Sequence, residues 1–203
     1  MNERFRPKKD TSKVSDESFK GPTMNLVIIN VIFFILSSIL SQNLFWTSSQ
    51  VIVLTGFSLY TFFEIGLIWT PLTSVFTHSG IAHISGNMIF LFIYGYRLEE
   101  MNIKPSFIYR AYLVTGILST IIAAPIIGYN SISLGASGSI FGLLGLVGGI
   151  EMKKKSSNFK SILLASFLLF IMSTGQNTNI FAHLFGLLIG ILIGRYYNFS
   201  IKL

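Results

Sequence analysis

The chain has no cysteine and very little charge. Among its 203 residues there is no Cys, which excludes disulfides, thiolate metal sites and cysteine nucleophiles. Only 11% of the residues are charged and 51% are hydrophobic, whereas a water-soluble domain carries about a quarter charged residues. With a mean hydropathy of +0.66, this scarcity of charge predicts an all-α integral membrane protein whose solvent is the lipid bilayer.

Basic residues are missing from three long stretches of the chain. The net charge of +7 comes from 15 Lys and Arg, which occur in four patches and leave residues 21–96, 111–152 and 161–194 without any. Because Lys and Arg gather in cytoplasmic loops, we expect all four patches on the inside, so each basic-free stretch crosses an even number of times. This predicts six transmembrane helices with cytoplasmic N- and C-termini. It also favours the membrane, and not nucleic acid, as the partner of the positive charge.

The chain divides into a tail and a membrane domain. Residues 1–23 are polar and mixed in charge, which predicts a disordered cytosolic tail before a membrane domain at 24–203. The segment 41–80 contains an apolar stretch of spanning length, but a crossing there would place neighbouring basic patches on opposite sides. Its Glu64 and clustered aromatic residues suit an external segment in the membrane interface. The six spans are predicted at 25–40, 81–96, 111–127, 137–153, 160–173 and 180–197.

Three polar side chains on different predicted helices lie at a similar depth. Counted to the nearest cytoplasmic basic residue at about 1.5 Å per residue, Ser137 lies about 24 Å away, His83 about 21 Å and His183 about 18 Å. The helix that begins at Ser137 is too short to cross a hydrocarbon layer of about 30 Å alone, so the irregular segment 128–136 must enter the membrane. Irregular backbone at that depth must be buried in protein or line a wet cavity. We therefore expect a cavity open to the outer face, with Ser137 at its floor.

Glycine repeats predict that the fourth and sixth spans pack closely. His183 shares one helical face with three glycines, and the span that begins at Ser137 carries small-residue pairs of its own. Two such faces let helix backbones approach, which brings His183 towards Ser137. The glycines are Gly186, Gly190 and Gly194 on the sixth span and Gly138, Gly142, Gly145 and Gly149 on the fourth.

A serine and a histidine at one depth can form a catalytic pair. The serine hydroxyl is a weak nucleophile until a base takes its proton, and a neutral imidazole is suited to that task near neutral pH. The apolar spans offer no carboxylate to orient the histidine, so we predict a Ser137–His183 dyad and not a triad. The backbone N–H of Ser137 and the side chains of His83 and Asn87, four residues apart on one face, can donate to an oxyanion.

Each of these residues also has a purely structural interpretation. Serine in a membrane helix usually bonds to its own backbone, Asn87 can join helices, and glycine pairs can serve packing alone. Ionisable side chains inside a membrane are costly and usually functional. The histidines could instead line a transport pathway or ligate haem or a metal, an alternative that leaves the Gly-Ala-Ser-Gly turn at 135–138 unexplained.

Four motifs, in matching order, resemble those of the rhomboid intramembrane serine proteases. They are GASGSIFGL at 135–143, AHLFGLLIG at 182–190, FTHSGIAHISGN at 76–87 and YGYRLEE at 94–100. The resemblance implies a six-helix rhomboid-like bundle, with its active site open to the outer face and with transmembrane proteins as substrates. The abundance of Ile, Asn and Lys and the compact loops favour the plasma membrane as its location. It implies neither a cofactor nor a metal. A catalytically inactive relative that binds membrane helices without cleaving them is the alternative.

The resemblance also implies roles for individual residues. Ser137 would be the nucleophile and His183 the general base and acid. His83 and Asn87 match the family's oxyanion-stabilising pair. The chain departs from the family's Trp-Arg pair in the first external loop, because Thr70 takes the place of the arginine. Supporting roles are implied for Gly135 in the tight turn before the serine, for His78 as a structural or water-assisting histidine, and for Phe141 as the ring that packs on the catalytic histidine.

Overall fold

The computed structural model describes residues 21–155, 160–162, 164, 168 and 179–197. Within these ranges the regular elements are helices, accompanied by two isolated β-bridges. The predicted tail lies outside the described residues except for its last three positions, and the predicted fifth span lies mostly outside them.

Five long helices and three short ones have described bounds, as expected for an all-α protein, and the described residues 160–162, 164 and 168 are helical as well. The short helices all fall between the first and second long helices, in the segment predicted to lie outside. The long helices are α1 (Pro22–Leu40), α5 (Ile81–Glu100), α6 (Pro105–Ile127), α7 (Ser137–Lys153) and α8 (Ile180–Tyr196), and the short helices are α2 (Ser49–Thr55), α3 (Leu59–Phe63) and α4 (Thr70–Thr73).

Two of the described helices, α1 and α6, are long and apolar enough to cross a bilayer by length and composition alone. Helix α8 is apolar but shorter, with 17 residues. Helices α5 and α7 carry the polar and glycine-rich motifs, which lower their hydropathy. The number of membrane crossings therefore stays a prediction.

Two helices begin earlier than the hydropathy pattern predicts. Helix α1 starts at Pro22, so Pro22 and Thr23, which the composition assigns to the tail, are helical and buried. The cause is a distant residue: the Glu99 carboxylate accepts the backbone N–H of Thr23 at 2.8 Å. A negative charge there stabilises N–H groups that have no partner within the helix. Helix α6 begins at Pro105, whose fixed φ suits a first helical position.

The segment between α1 and α5 is folded onto itself. Its longest helix has seven residues, so this fully described segment contains no helix of spanning length. The Trp69 indole N–H donates to the Leu54 carbonyl at 2.9 Å, and the buried Thr70 hydroxyl donates to the Leu67 carbonyl at 2.7 Å. The loop is thus anchored through its tryptophan without the family's arginine. Its place in the membrane interface stays a prediction.

Helix α7 is the centre of the fold and packs on α8 through glycines. Every residue from Gly138 to Glu151 is buried. A Cβ at residue 190 would collide with the Gly142 carbonyl oxygen, and a Cβ at residue 145 with the Leu187 carbonyl oxygen. The predicted close approach of the two helices is therefore confirmed. We call this contact the glycine seam, formed by Gly138, Gly142, Gly145 and Gly149 of α7 with Gly186, Gly190 and Gly194 of α8.

Candidate active site

A cavity of about 590 Å³ lies at the N-terminal ends of α5, α7 and α8. Its wall is mixed: apolar side chains surround a few polar groups that converge from separate parts of the chain. Such a combination is typical of a site that binds and orients a ligand. The polar or glycine lining includes Ser79, His83, Gly86, Asn87, Ser133, Gly135, Ser137, Asn179 and His183.

The structure brings Ser137 and His183 into direct contact. Ser137 is the first residue of α7, and His183 lies in the first turn of α8. The distance between Ser137 Oγ and His183 Nε2 is 2.8 Å, which is a hydrogen bond of ordinary length. For the imidazole to act as a base, Nε2 must accept the serine O–H, and the ring proton must then sit on Nδ1. The contact thus has the geometry of a nucleophile beside its general base.

Phe141 fixes the plane of the histidine ring. It lies one helical turn after Ser137 and is 1% exposed. Its ring centroid is 4.5 Å from that of His183, and the two planes are inclined by only 17°. Stacking against a buried aromatic ring restricts rotation of the imidazole, and so keeps Nε2 directed at the serine.

His83 and Asn87 face the turn that precedes Ser137. Gly135 in that turn has a φ of +112°, a conformation that side chains rarely adopt. A Cβ at residue 135 would lie 2.9 Å from His83 Nε2 and 3.7 Å from Asn87 Nδ2. The Asn87 amide also donates to the His83 carbonyl at 3.1 Å, which orients it. These side chains therefore lie beside the turn that leads to the serine at the α7 N-terminus, and their role as oxyanion donors stays a prediction.

His78 is placed apart from the reacting groups. It is fully buried, its Nδ1 lies 3.0 Å from the Phe76 carbonyl oxygen, and its ring centroid is 5.1 Å from that of His83. Burial, together with the neighbouring His83 imidazole, lowers the pKa of His78 to about 3, so its ring is neutral near pH 7. His78 is not among the described residues that line the cavity. Its position therefore favours support of His83 over contact with a substrate.

The part of the chain that the structure describes contains no cluster of ligands that would support the metal-site alternative. There, no group of three or more His, Asp or Glu residues lies close enough together to hold a metal ion. Two of the histidines instead bond to serine hydroxyls, His183 to Ser137 and His83 to Ser79, and His78 bonds to a backbone carbonyl. The absence of a metal from the reaction stays a prediction.

Two residues of the site, Ser133 and Asn179, were missed by sequence reasoning. Their side chains form a hydrogen bond of 2.7 Å in the wall of the cavity. A signal existed for one of them, since Asn179 directly precedes the apolar run of α8 and asparagine is a favoured N-cap residue. Nothing in the local pattern around Ser133 indicates its partner.

Comparison with known proteins gives consistent matches. A family model described as the Rhomboid domain matches residues 65–198. Rhomboid-like protease 3 of Toxoplasma gondii is 26% identical over 187 residues, which are 87% of this chain and 69% of that protein. The putative rhomboid protease YdcA of Bacillus subtilis is 30% identical over 132 residues, 62% of this chain and 65% of that protein. The chloroplastic Rhomboid-like protein 11 of Arabidopsis thaliana is 32% identical over 90 residues, 44% of this chain and 31% of that protein.

Proposed function

The chain belongs to the rhomboid family of multi-pass, all-helical membrane proteins, and from that premise we propose that it is an intramembrane serine protease. It hydrolyses peptide bonds in or near the transmembrane helices of other membrane proteins through a Ser137–His183 dyad. The observation that supports this most is the 2.8 Å contact between Ser137 Oγ and His183 Nε2 in the wall of a cavity. A serine that served packing alone would have no need of an imidazole partner.

The proposed reaction proceeds in two steps. In the first, His183 Nε2 takes the proton from Ser137 Oγ as this oxygen bonds to the carbonyl carbon of the scissile peptide. The C–N bond then breaks, the imidazolium gives its proton to the leaving amine, and an acyl ester remains on Ser137. In the second step His183 takes a proton from water, whose oxygen bonds to the ester carbonyl carbon; the bond from that carbon to Ser137 Oγ then breaks, the imidazolium returns its proton to Ser137 Oγ, and the carboxylic acid leaves. The dyad ends in its starting state.

Charge develops on the carbonyl oxygen in both steps. His83, Asn87 and the backbone N–H of Ser137 are the donors that we assign to it. These donors can reach a carbonyl only if the substrate backbone is extended there, because a helix keeps its carbonyls in internal hydrogen bonds. The substrates proposed are therefore transmembrane proteins whose helices unwind locally at helix-breaking residues.

The proposed topology has six crossings within the domain at 24–203, cytoplasmic termini and a cavity open to the outer face of the plasma membrane. In its support, Arg97, Lys153 and Arg195 lie in the last turns of α5, α7 and α8. The cavity residues lie at the opposite ends of the same three helices. Basic residues therefore share one end of the bundle and the cavity the other, as the cytoplasmic enrichment of Lys and Arg requires.

Cleavage of a model transmembrane substrate by the purified protein in detergent tests the proposal. Ser137→Ala and His183→Ala should each lower kcat at least about a thousandfold, because each removes a member of the dyad. Ser131→Ala, which alters an exposed serine of the same loop, is the matched control and should cleave normally. A fluorophosphonate should label the wild-type protein and not the Ser137→Ala variant. Equal cleavage by all variants would refute the dyad, and a folded wild type that neither cleaves nor labels would identify an inactive relative.

A further inference from the structure

A second hydrogen bond joins the two parts of the chain that carry the dyad. The Asn179 side-chain amide donates to Ser133 Oγ at 2.7 Å. The two bonded pairs have the same spacing, since Ser133 and Asn179 are 46 residues apart and so are Ser137 and His183. Each member of the Asn179–Ser133 bridge therefore precedes a member of the dyad by four residues.

Ser133 is held in place from its other side. Its backbone N–H donates to the Phe57 carbonyl at 2.7 Å, and its carbonyl accepts the Phe57 N–H at 2.9 Å. The residue is only 4% exposed. Ser133 is thus a fixed point of the loop that leads to Ser137, tied to the external segment before Asn179 reaches it.

Asn179 is held by the helix that carries the histidine. Its side-chain oxygen accepts the Ala182 N–H at 3.0 Å as an N-cap, and its backbone carbonyl accepts the His183 N–H at 3.3 Å. The amide therefore has two tasks: its oxygen bonds to the first turn of α8, and its nitrogen bonds to the loop. A capping residue that served the helix alone would use only the oxygen.

The bridge and the glycine seam lie on opposite sides of the dyad along α8. On the seam side, a Cβ at residue 186 would collide with the Gly138 carbonyl oxygen, so α7 and α8 are in backbone contact directly beyond the dyad. Contact on one side alone would leave the N-terminus of α8 free to tilt away from the loop. The Asn179–Ser133 bridge supplies a contact on the other side, about 6 Å further along the helix axis from His183.

We propose that Asn179 is a positioning residue that sets the distance between Ser137 Oγ and His183 Nε2 by tying the first turn of α8 to Ser133. The catalytic consequence of this proposal rests on the proposed function. A serine hydroxyl and its base must meet within hydrogen-bonding reach, and a misplacement of about 1 Å can cost about a hundredfold in rate.

Four variants separate the bridge from the cap. Asn179→Ser keeps a side-chain oxygen for the Ala182 N–H but is too short to reach Ser133. Ser133→Ala removes the bridge from the other side and leaves the cap intact, and the double variant combines both changes. Asn179→Asp keeps both contacts, because its carboxylate can accept the Ala182 N–H and the Ser133 O–H.

The kinetic readout is cleavage of a model transmembrane substrate by each purified full-length variant. We expect Asn179→Ser and Ser133→Ala each to lower kcat about tenfold with KM changed less than about twofold, since the bridge orients the dyad and does not bind substrate. The double variant should be no slower than either single one, because both remove the same bond. Asn179→Asp should restore kcat to within about threefold of wild type. Full kcat in both single variants, or additive losses, would overturn the proposal.

A spectroscopic readout does not require turnover. In protein labelled with ¹⁵N-histidine, the His183 Nε2 resonance, assigned with His183→Gln, reports whether the ring bonds to Ser137. It should move in Asn179→Ser and Ser133→Ala in the same direction as in Ser137→Ala, and should return to its wild-type position in Asn179→Asp. An unchanged resonance in both bridge variants would overturn the proposal even if the protein cleaves. If wild type does not cleave, the proposed function fails, while a moved resonance would still support the positioning role.

Discussion

The two sides of the dyad are built by different physical means. On one side lies the glycine seam, where backbone touches backbone and no Cβ fits at Gly145 or Gly190. On the other side the loop 128–136 is held by single hydrogen bonds, among them Gly135 N–H to the Ser74 carbonyl at 2.8 Å and Asn179 to Ser133 at 2.7 Å. The seam fixes the helices by shape, and the loop fixes their ends by polar contacts.

This difference separates contacts that cannot move from contacts that can break and re-form. Close packing tolerates no added atom, because neither backbone can move without displacing the whole helix. A single hydrogen bond contributes about 1 kcal/mol net, so it can break and re-form without unfolding the protein. Residues 132–135 of the hydrogen-bonded loop line the cavity that holds the dyad. The position of the dyad thus depends both on rigid contacts between the helices and on adjustable contacts of the loop.

The largest difference in stability is expected between two glycine-to-alanine variants of α7. In Gly145→Ala the new methyl group would collide with the Leu187 carbonyl oxygen, whereas in Gly148→Ala the nearest described atom, Ile162 Cγ2, would lie at 3.5 Å. We expect Gly145→Ala to destabilise the fold by about 3 kcal/mol and to abolish activity, through overpacking of the seam. Gly148→Ala should be neutral or slightly stabilising, since alanine favours helix. Thermal unfolding in detergent measures both, and equal stability of the two variants would contradict the steric account of the seam.

The loop side offers a matched pair of glycines with the same φ. Gly135 and Gly128 both have a φ of +112°. Alanine at 135 would add a contact of 2.9 Å with His83 Nε2, whereas alanine at 128 would meet only Ser131 Oγ at 3.4 Å. Both variants should lose about 1 kcal/mol of stability. Only Gly135→Ala should lower kcat, by about a hundredfold, because it displaces the oxyanion donors. Comparable kcat values in the two variants would show that strain alone accounts for the need for glycine.

Much of the rigid side could be predicted from the sequence. Helix α7 begins at Ser137 as predicted, and the irregular segment before it is irregular in the structure. Glycines spaced by three and four residues lie on one face of a helix whatever that face packs against. The seam can therefore be recognised from the sequence. Depth counting from basic anchors then placed Ser137 and His183 at one level. The roles of the site residues and the number of crossings stay predictions.

The hydrogen bonds of the loop side could hardly be predicted from the sequence. The Asn179–Ser133 bond joins residues 46 apart, and the Glu99 cap of α1 joins residues 76 apart. Such contacts have no period and depend on how the helices come together, so a pattern within one helix cannot indicate them. Turn and cap preferences predict that a polar residue is present, but not which group it bonds to.

The ring that stacks on the histidine tests whether shape or polarity holds the imidazole. Phe141→Leu removes an aromatic face 4.5 Å from His183 but keeps an apolar side chain of similar length. We expect kcat to fall about tenfold, because the imidazole gains rotational freedom, with a small change in KM. Leu144→Met, which changes the neighbouring buried side chain by less, is the control and should cleave at nearly the wild-type rate. If both variants keep full kcat, the hydrogen bond to Ser137 alone orients the ring.

The smallest expected effect is a loss of stability at acidic pH, which requires a buried group that binds a proton. The pKa of the His78 imidazole is lowered by burial and by His83 to about 3 in the folded protein, whereas an unfolded histidine titrates near its usual value of 6.5. Below that value protons bind the unfolded chain more strongly, so stability must fall with pH, by about 1 kcal/mol between pH 7 and pH 5.5. His78→Gln can still donate to the Phe76 carbonyl but does not titrate in this range. The thermal midpoint of wild type should therefore drop on acidification by more than that of the variant, while the other two histidines contribute equally to both. Parallel shifts in the two proteins would mean that His78 is as easily protonated when folded as when unfolded, and that the hydrogen-bonded side is no more acid-sensitive than the seam.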